Sequence, residues 1–309
     1  MAFVFHSLVD DANEWRTELK ALIPDLDYRV WPDVGNPTEI DIALIWKAPP
    51  GMLAQLPNVE LLLSLGAGVD HFLTDPDLPE NVPITRLIDD FCATAMMEYV
   101  LLQVLRFHRN DPIYQNQQSN KEWIFHAPKI AADRTVGIMG LGALGSESAK
   151  TLKAVGFNVR SWTKHKRNID GVESFSGINE LPAFLSKTDI LICLLALTEE
   201  TSGVLNKHNL SRLPKGAYVI NVARGDHLVE HDLLSLLDSG WLAGAALDCF
   251  TEEPLPDSNP IWSHPKIFLT PHASTGTNAP SAARHVAENI RRFYAKEPLL
   301  NELNRDTGY

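Results

Sequence analysis

Arg224, Glu253 and His272 stand in that order in the last third of a 309-residue chain, each just beyond a short apolar run. The runs at 218–222, 245–247 and 267–269 have the length and composition of buried strands. Ligands of open α/β sheets bind at the carboxyl ends of the strands, so these three side chains can converge on one point. The chemistry they fit is reduction of a 2-keto acid. A planar guanidinium matches a carboxylate through two bonds and polarises the carbonyl beside it. A protonated imidazole gives the carbonyl oxygen its proton and, in the reverse direction, takes it back. A carboxylate next to the imidazole orients the ring and favours its charged form. Taken singly, Arg224 reads equally as half of a structural ion pair, Glu253 as a solvated turn residue and His272 as a hydrogen-bonded loop histidine. Their order, downstream of a nucleotide motif, favours chemistry.

That motif is Gly140-Leu-Gly142-Ala143-Leu144-Gly145. It is entered from the apolar run 136–139 and followed by an alanine- and leucine-spaced segment, 143–155, that stops at Gly156. Strand, glycine turn and helix together signal a dinucleotide site. Gly140 permits the turn, Gly142 lets backbone N–H groups approach a pyrophosphate, and Gly145 lets helix and strand pack closely. A glycine turn in some other βα unit is the alternative. NAD-preferring sites place an acid about 20 residues beyond the glycines, on the ribose hydroxyls. Here the second strand ends at Thr163 and runs into Lys164-His165-Lys166-Arg167, with no acid at that point. The expected cofactor is NADPH, its 2′-phosphate drawn to Lys164 first and Arg167 second. NAD is the alternative cofactor, and a solvated basic loop the plainer reading.

Earlier in the chain, Leu65-Gly66-Ala67-Gly68-Val69-Asp70 follows another strand. The N–H groups of such a turn form an anion-binding hollow, unless its glycines serve geometry alone. Trp46 and Lys47 end a further strand, and Trp46 reads either as a wall of the substrate pocket or as core.

The elements that must position these residues alternate in a βαβα rhythm. Strands are expected over 3–5, 28–31, 42–46, 61–65 and 84–87, with a helix over 11–22. A second set is expected over 136–139, 159–162, 190–195, 218–222, 245–247 and 267–269, with helices at 181–185 and 230–237 between them. A helix over 93–107 bridges the two sets, and a last one, about 282–294, is expected to pack back on the first. The length favours two domains. The expected fold is α/β with two doubly wound parallel-sheet lobes and a cleft between them. One is a flavodoxin-like substrate-binding domain, 1–98 with 275–309; the other is a Rossmann NAD(P)-binding domain, 99–274.

Acidic residues outnumber basic ones, 39 to 27, for a net charge of −12, and no basic block occurs. That argues against a sequence-independent nucleic-acid binder but permits a local cationic pocket for a small acid. Cys92, Cys193 and Cys249 each lie in an apolar run without CxxC spacing. They read as buried free thiols in a reducing compartment, not as a disulfide frame or a metal site. No secretory signal and no bilayer-spanning run is visible. The expectation is a cytoplasmic protein with no membrane partner.

With these residues assembled, the chain resembles the D-isomer-specific 2-hydroxyacid dehydrogenases. The resemblance rests on Gly140-Leu-Gly-Ala-Leu-Gly145, Asn221-Val-Ala223-Arg224-Gly225, Asp248 with Glu253-Pro254, and Pro271-His272, and it spans almost the whole chain. Within that family it is most similar to the bacterial glyoxylate/hydroxypyruvate reductase A type. The pointers are Ile45-Trp-Lys-Ala-Pro-Pro-Gly-Met-Leu53, Gly171-Val-Glu-Ser-Phe175, Glu253-Pro-Leu-Pro256 and Arg305-Asp-Thr-Gly-Tyr309. The resemblance implies Arg224 as substrate binder and polariser, His272 as acid/base and Glu253 as its partner. It implies cofactor contacts from Asp248 and Ala223, and it assigns the Ala67-Gly68-Val69 turn to the substrate carboxylate. Many relatives carry a proline in the loop after the strand ending near Leu195, where this chain reads Leu194-Leu-Ala196-Leu-Thr. Glyoxylate and hydroxypyruvate are the substrates implied, and a homodimer the assembly, with 93–107 and 120–125 as candidate contacts. Two alternatives stand beside this reading: the same chemistry on a bulkier keto acid, and a dinucleotide-sensing interaction protein of the same fold.

Overall fold

A computed structural model describes residues 1–305, 307 and 308. Of the terminal segment Arg305–Tyr309 that carried part of the resemblance, Asp306 and Tyr309 therefore lie outside the described residues. The chain forms two compact units, Met1–Cys92 with Gly276–Tyr309, and Ala93–Thr275.

The first unit is built on five parallel strands, β1 (Ala2–His6), β2 (Asp27–Val30), β3 (Ile40–Ile45), β4 (Leu61–Ser64) and β5 (Ile84–Thr85), in the order β2-β1-β3-β4-β5. This is the flavodoxin-like order. Helix α1 (Ala12–Leu22) begins where the Asp11 carboxylate accepts the Asn13 N–H at 2.8 Å, meeting a donor the helix itself leaves unpaired. Trp15 and Leu19, one turn apart, face the sheet and join Phe3 and Phe5 in the core. The last helix, Ala279–Ala295, adds Ala282, Ala283, Val286 and Ile290 to the same core, so it packs back on the first sheet, as expected. Strand β5 is shorter than expected. Beyond it, the Arg86 N–H turns to the Asn301 carbonyl at 3.1 Å.

The second unit has seven parallel strands, β6 (Thr135–Met139), β7 (Asn158–Thr163), β8 (Glu173–Ser176), β9 (Ile190–Cys193), β10 (Ala217–Asn221), β11 (Leu242–Leu247) and β12 (Ile267–Leu269). Their order, β12-β11-β10-β9-β6-β7-β8, is doubly wound, with the direction of winding reversing between β6 and β9. Successive strand residues point to opposite faces. Ile138, Ile192 and Ile220 meet the bridging helix and the helix after the glycine turn on one face; Leu191, Val219 and Leu247 meet Phe184, Leu233 and Leu237 on the other. Strands covered on both faces in this way read as near-continuous apolar runs, which is why they were visible in the sequence.

Strand β8 escaped the sequence because it is half polar. It forms beside β7, where the buried Arg160 guanidinium pairs with Glu173, lies over the Phe175 ring at 4.8 Å and donates to the Phe184 carbonyl at 2.9 Å. A buried cation needs such partners.

Register brings the functional ends level. Met139 pairs with Trp162 and with Cys193, Cys193 with Asn221, Asn221 with Leu247, and Leu247 with Leu269. All the loops that carry candidate residues in this unit thus leave from one edge of the sheet. Two of them pack backbone to backbone. A Cβ added to Gly225 would lie 1.9 Å from the Phe250 carbonyl carbon and 2.1 Å from the Thr251 nitrogen. Gly225→Ala is therefore expected to push the 250–253 loop aside at a cost of about 1–3 kcal/mol. Thermal unfolding checks this: a lowered melting temperature is expected, and an unchanged one would mean that the two loops move apart freely.

Candidate active site

After the short helix α2 (Asp70–Leu73) of the first unit come α3 (Asp90–His108), most of which belongs to the second unit, α4 (Asp111–Asn120) and α5 (Ala143–Val155). The glycine turn joins β6 to α5. Gly140 takes φ +100°, a left-handed conformation open to glycine, and a Cβ on Gly145 would sit 2.0 Å from the Gly140 carbonyl oxygen. Gly142, the N-cap of α5, offers no side chain to the helix, and a Cβ there would meet nothing within 4 Å. Ala143 is exposed and Leu144 half-buried. A bare helix N-terminus with open space before it fits a pyrophosphate, which would accept the first-turn N–H groups.

Thr163 ends β7 with its hydroxyl turned back to the His165 carbonyl at 2.6 Å. The two cations expected beyond it are placed differently. Arg167 donates to the Leu141 carbonyl at 2.9 Å and so lies against the glycine turn, whereas Lys164 pairs with Glu200 at 2.8 Å. The loop bearing Glu200, without the proline of many relatives, is tied by Thr201. Its hydroxyl donates to the Ala196 carbonyl at 2.7 Å and accepts the Thr198 N–H at 2.9 Å.

Strand β10 ends in a turn closed by Asn221, whose amide donates to the Arg224 carbonyl at 2.9 Å. Ala223 is buried beneath the turn; Arg224 is half-buried and donates to the Ala223 carbonyl at 2.7 Å. The wholly buried His227 supports the turn from below, its Nδ1 3.2 Å from the Arg224 carbonyl and its Nε2 3.3 Å from that of Ala196. Burial lowers its pKa, and a neutral ring has one N–H to donate.

Asp248 follows β11 and is buried. One carboxylate oxygen accepts the Thr270 hydroxyl at 2.5 Å and the Ala273 N–H at 2.7 Å; the other accepts the Ser274 N–H at 2.9 Å. Thr270 in turn accepts the Tyr99 hydroxyl of α3 at 2.6 Å. Burial pushes the Tyr99 phenol up to about 12, so it is a neutral donor at ordinary pH. These bonds hold the turn that carries His272, whose own φ is +53° and whose N–H donates to the Asp248 carbonyl at 2.8 Å.

The His272 Nδ1 then lies 2.9 and 3.0 Å from the two oxygens of Glu253. An ionised carboxylate only accepts, so Nδ1 carries a proton and Nε2 is left for chemistry. Glu253 also accepts the Phe250 N–H at 3.1 Å. The neighbouring Cys249 is a free, buried thiol, and burial raises its pKa well above the ordinary value, so it is no nucleophile here. Among the described residues no group of His, Cys, Asp and Glu is placed to hold a metal, and no helix is long and apolar enough to cross a membrane.

Sequence reading gave no role to Tyr99, Thr270, Asn221, His227 or Glu200. A tyrosine inside an apolar helix was the available signal, since a buried hydroxyl needs a partner.

In the first unit, the turn Gly66-Ala67-Gly68-Val69 leads from β4 to α2, with Ala67 and Gly68 half-buried and Val69 buried. Trp46, half-buried at the end of β3, lies directly over Gly66, where a Cβ would come within 2.4 Å of the indole. The two expected features of this unit are thus in contact, with the His71 ring 5.0 Å from the indole behind them.

Comparison with known proteins places this geometry. Residues 101–274 match the family model of the D-isomer specific 2-hydroxyacid dehydrogenase NAD binding domain. The chain is 42% identical over 314 aligned positions to a glyoxylate/hydroxypyruvate reductase A of Serratia proteamaculans, covering all of both chains. It superimposes on a D-isomer specific 2-hydroxyacid dehydrogenase of Xanthobacter autotrophicus Py2, solved with NADPH and MES, with a TM-score of 0.95 at 41% identity, covering 100% of this chain and 99% of that one. An NADPH-dependent glyoxylate/hydroxypyruvate reductase of Sinorhizobium meliloti, solved with NADP and sulfate, gives a TM-score of 0.94 at 36% identity over the whole of both chains. The chain belongs to the D-isomer-specific 2-hydroxyacid dehydrogenase family.

Proposed function

We propose that this protein is an NADPH-preferring reductase of small 2-keto acids, with glyoxylate and hydroxypyruvate as its substrates. The observation that carries the reading is the Glu253–His272 pair, held on the same sheet edge as Arg224 and the glycine turn. The similarity to glyoxylate/hydroxypyruvate reductases, one of them solved with NADP, supports the substrate class and the cofactor. Gly140, Gly142, Ala143, Leu144 and Gly145 would hold NADPH, which would supply a hydride to the keto carbon.

The residues of the chain do the rest. Arg224 takes the substrate carboxylate and the neighbouring carbonyl oxygen, so that negative charge growing on that oxygen meets a fixed cation. His272 delivers its Nε2 proton to the same oxygen, and Glu253 steadies the imidazolium before transfer and orients the neutral ring after it. Ala67, Gly68 and Val69 are assigned to the acid's carboxylate, and Trp46 to the wall of the substrate pocket. Asp248, whose visible work is to hold the His272 turn, and Ala223 are assigned to the nicotinamide end. Arg167, with Thr163 and Lys164, is assigned to the 2′-phosphate. The position of Arg167 against the glycine turn favours it over Lys164, reversing the order expected from sequence.

The test is NADPH and NADH oxidation on a panel of 2-keto acids from glyoxylate to phenylpyruvate. Highest kcat/KM with NADPH and a two- or three-carbon acid is expected; preference for NADH, or for the bulky acids, would contradict the proposal. In the same assay His272→Ala is expected to lower kcat by roughly 10²–10⁴-fold while NADPH affinity is kept. Near-normal turnover would remove His272 from the proton-transfer role.

We further propose a homodimer and a cytoplasmic location. Trp123, Ile124 and Phe125 are consecutive and all exposed in the single chain, a patch of the kind that marks an interface. Three buried free thiols fit a reducing compartment. Sedimentation equilibrium at micromolar concentration is expected to give twice the chain mass, and Trp123→Ser with Phe125→Ser to shift it toward one. A wild-type monomer would contradict the dimer.

A further inference from the structure

The strand order β7-β6-β9 puts the loop after β7 and the loop after β9 on either side of the glycine turn that follows β6. An ion pair joins the two loops. Lys164 Nζ lies 2.8 Å from one carboxylate oxygen of Glu200 and 3.0 Å from the other. Both ends spring from braced backbone: Thr163 and Arg167 fasten the lysine side to His165 and Leu141, and Thr201 fastens the glutamate side to Ala196 and Thr198. Both side chains stay more than half exposed, 52% and 66%. An exposed pair of this kind is worth about 0.2–1 kcal/mol, so it does little to hold the unit together and opens readily when a stronger anion arrives.

Resting on the reading of this chain as an NADPH enzyme, we propose that Glu200 is a specificity-determining residue that holds down affinity for the 2′-phosphate. It occupies the ammonium group that this phosphate would engage, and its own charge repels a dianion brought to the same place. An unphosphorylated ribose asks for no such exchange and leaves the pair closed. Glu200 therefore narrows the margin by which the basic loop favours the phosphorylated cofactor, a role that neither the glycine motif nor the basic run reveals. The acid absent from the end of β7 is supplied, in part, from the loop after β9.

Calorimetric binding of two probes without a nicotinamide tests this apart from turnover: adenosine 2′,5′-bisphosphate, which carries the 2′-phosphate, and 5′-AMP, which lacks it. Glu200→Gln is expected to tighten the bisphosphate by roughly two- to fivefold, and to leave 5′-AMP within about twofold, as loss of one exposed pair dictates. In a Lys164→Ala background the same change is expected to lose most of its effect, because the competed cation is gone. Bisphosphate binding unchanged or weakened by Glu200→Gln would overturn the proposal, and so would a gain equal in the two backgrounds. If wild-type protein binds the bisphosphate no better than 5′-AMP, the NADPH reading itself falls. A wild type that prefers the bisphosphate while Glu200→Gln does not tighten it overturns the role of Glu200 alone. Unchanged thermal unfolding of the variants shows that the fold is kept.

Discussion

A carboxylate removed from water is costly unless its lone pairs are met by donors. Asp248 is such a group, and the way its charge is met organises the active edge of the second unit. Three donors turn toward it, all from the turn that carries His272. Bonds to an ionised acceptor are roughly twice as strong as neutral ones. That is enough to hold His272 in a left-handed conformation that costs a non-glycine residue of order 1–3 kcal/mol. On the backbone so held, the imidazole is fixed by Glu253, which receives its Nδ1. Tyr99 extends the same network into α3 through Thr270, so the position of the imidazole is tied to the core and not to a free loop.

Arg224 is placed by a different device. Asn221 closes its turn, His227 fills the space beneath it, and the bare Gly225 lets the loop containing Phe250 and Glu253 lie directly against it. The cation and the proton carrier are thus set by adjacent loops that touch backbone to backbone. Their spacing depends on a contact no side chain could tolerate, which makes the glycine after Arg224 as much a part of the site as the arginine.

Much of this was legible in the chain because its signals are local. The glycine turn announces itself through the strand before it and the helix after it. Arg224, Glu253 and His272 are read from their place past apolar runs, those before Arg224 and Glu253 buried and the edge run before His272 half-buried. The two parallel sheets follow from the βαβα rhythm. What was hidden depends on partners distant in sequence. Arg160 lay inside an expected strand, but its partners Glu173 and Phe175, from the unforeseen β8, could not be read from the strand itself. Lys164 looked like the first candidate for a phosphate because nothing in the sequence joins it to Glu200, 36 positions on. Helix α4, Asp111–Asn120, is rich in Gln and Asn and has little apolar face to betray it. Asp248 was noticed for its position, but its three donors from 22 to 26 residues away could not be seen.

The central claim is that Glu253 takes the His272 Nδ1–H, so that Nε2 is the nitrogen presented for proton transfer. Side-chain ¹⁵N NMR, with the His272 signals assigned by their loss in His272→Gln, reads this directly. In the neutral ring the account predicts a protonated Nδ1 and a bare Nε2, and replacing Glu253 by Ala should release that preference toward the free mixture of tautomers. A neutral His272 with its proton on Nε2 in the wild-type protein would contradict the account.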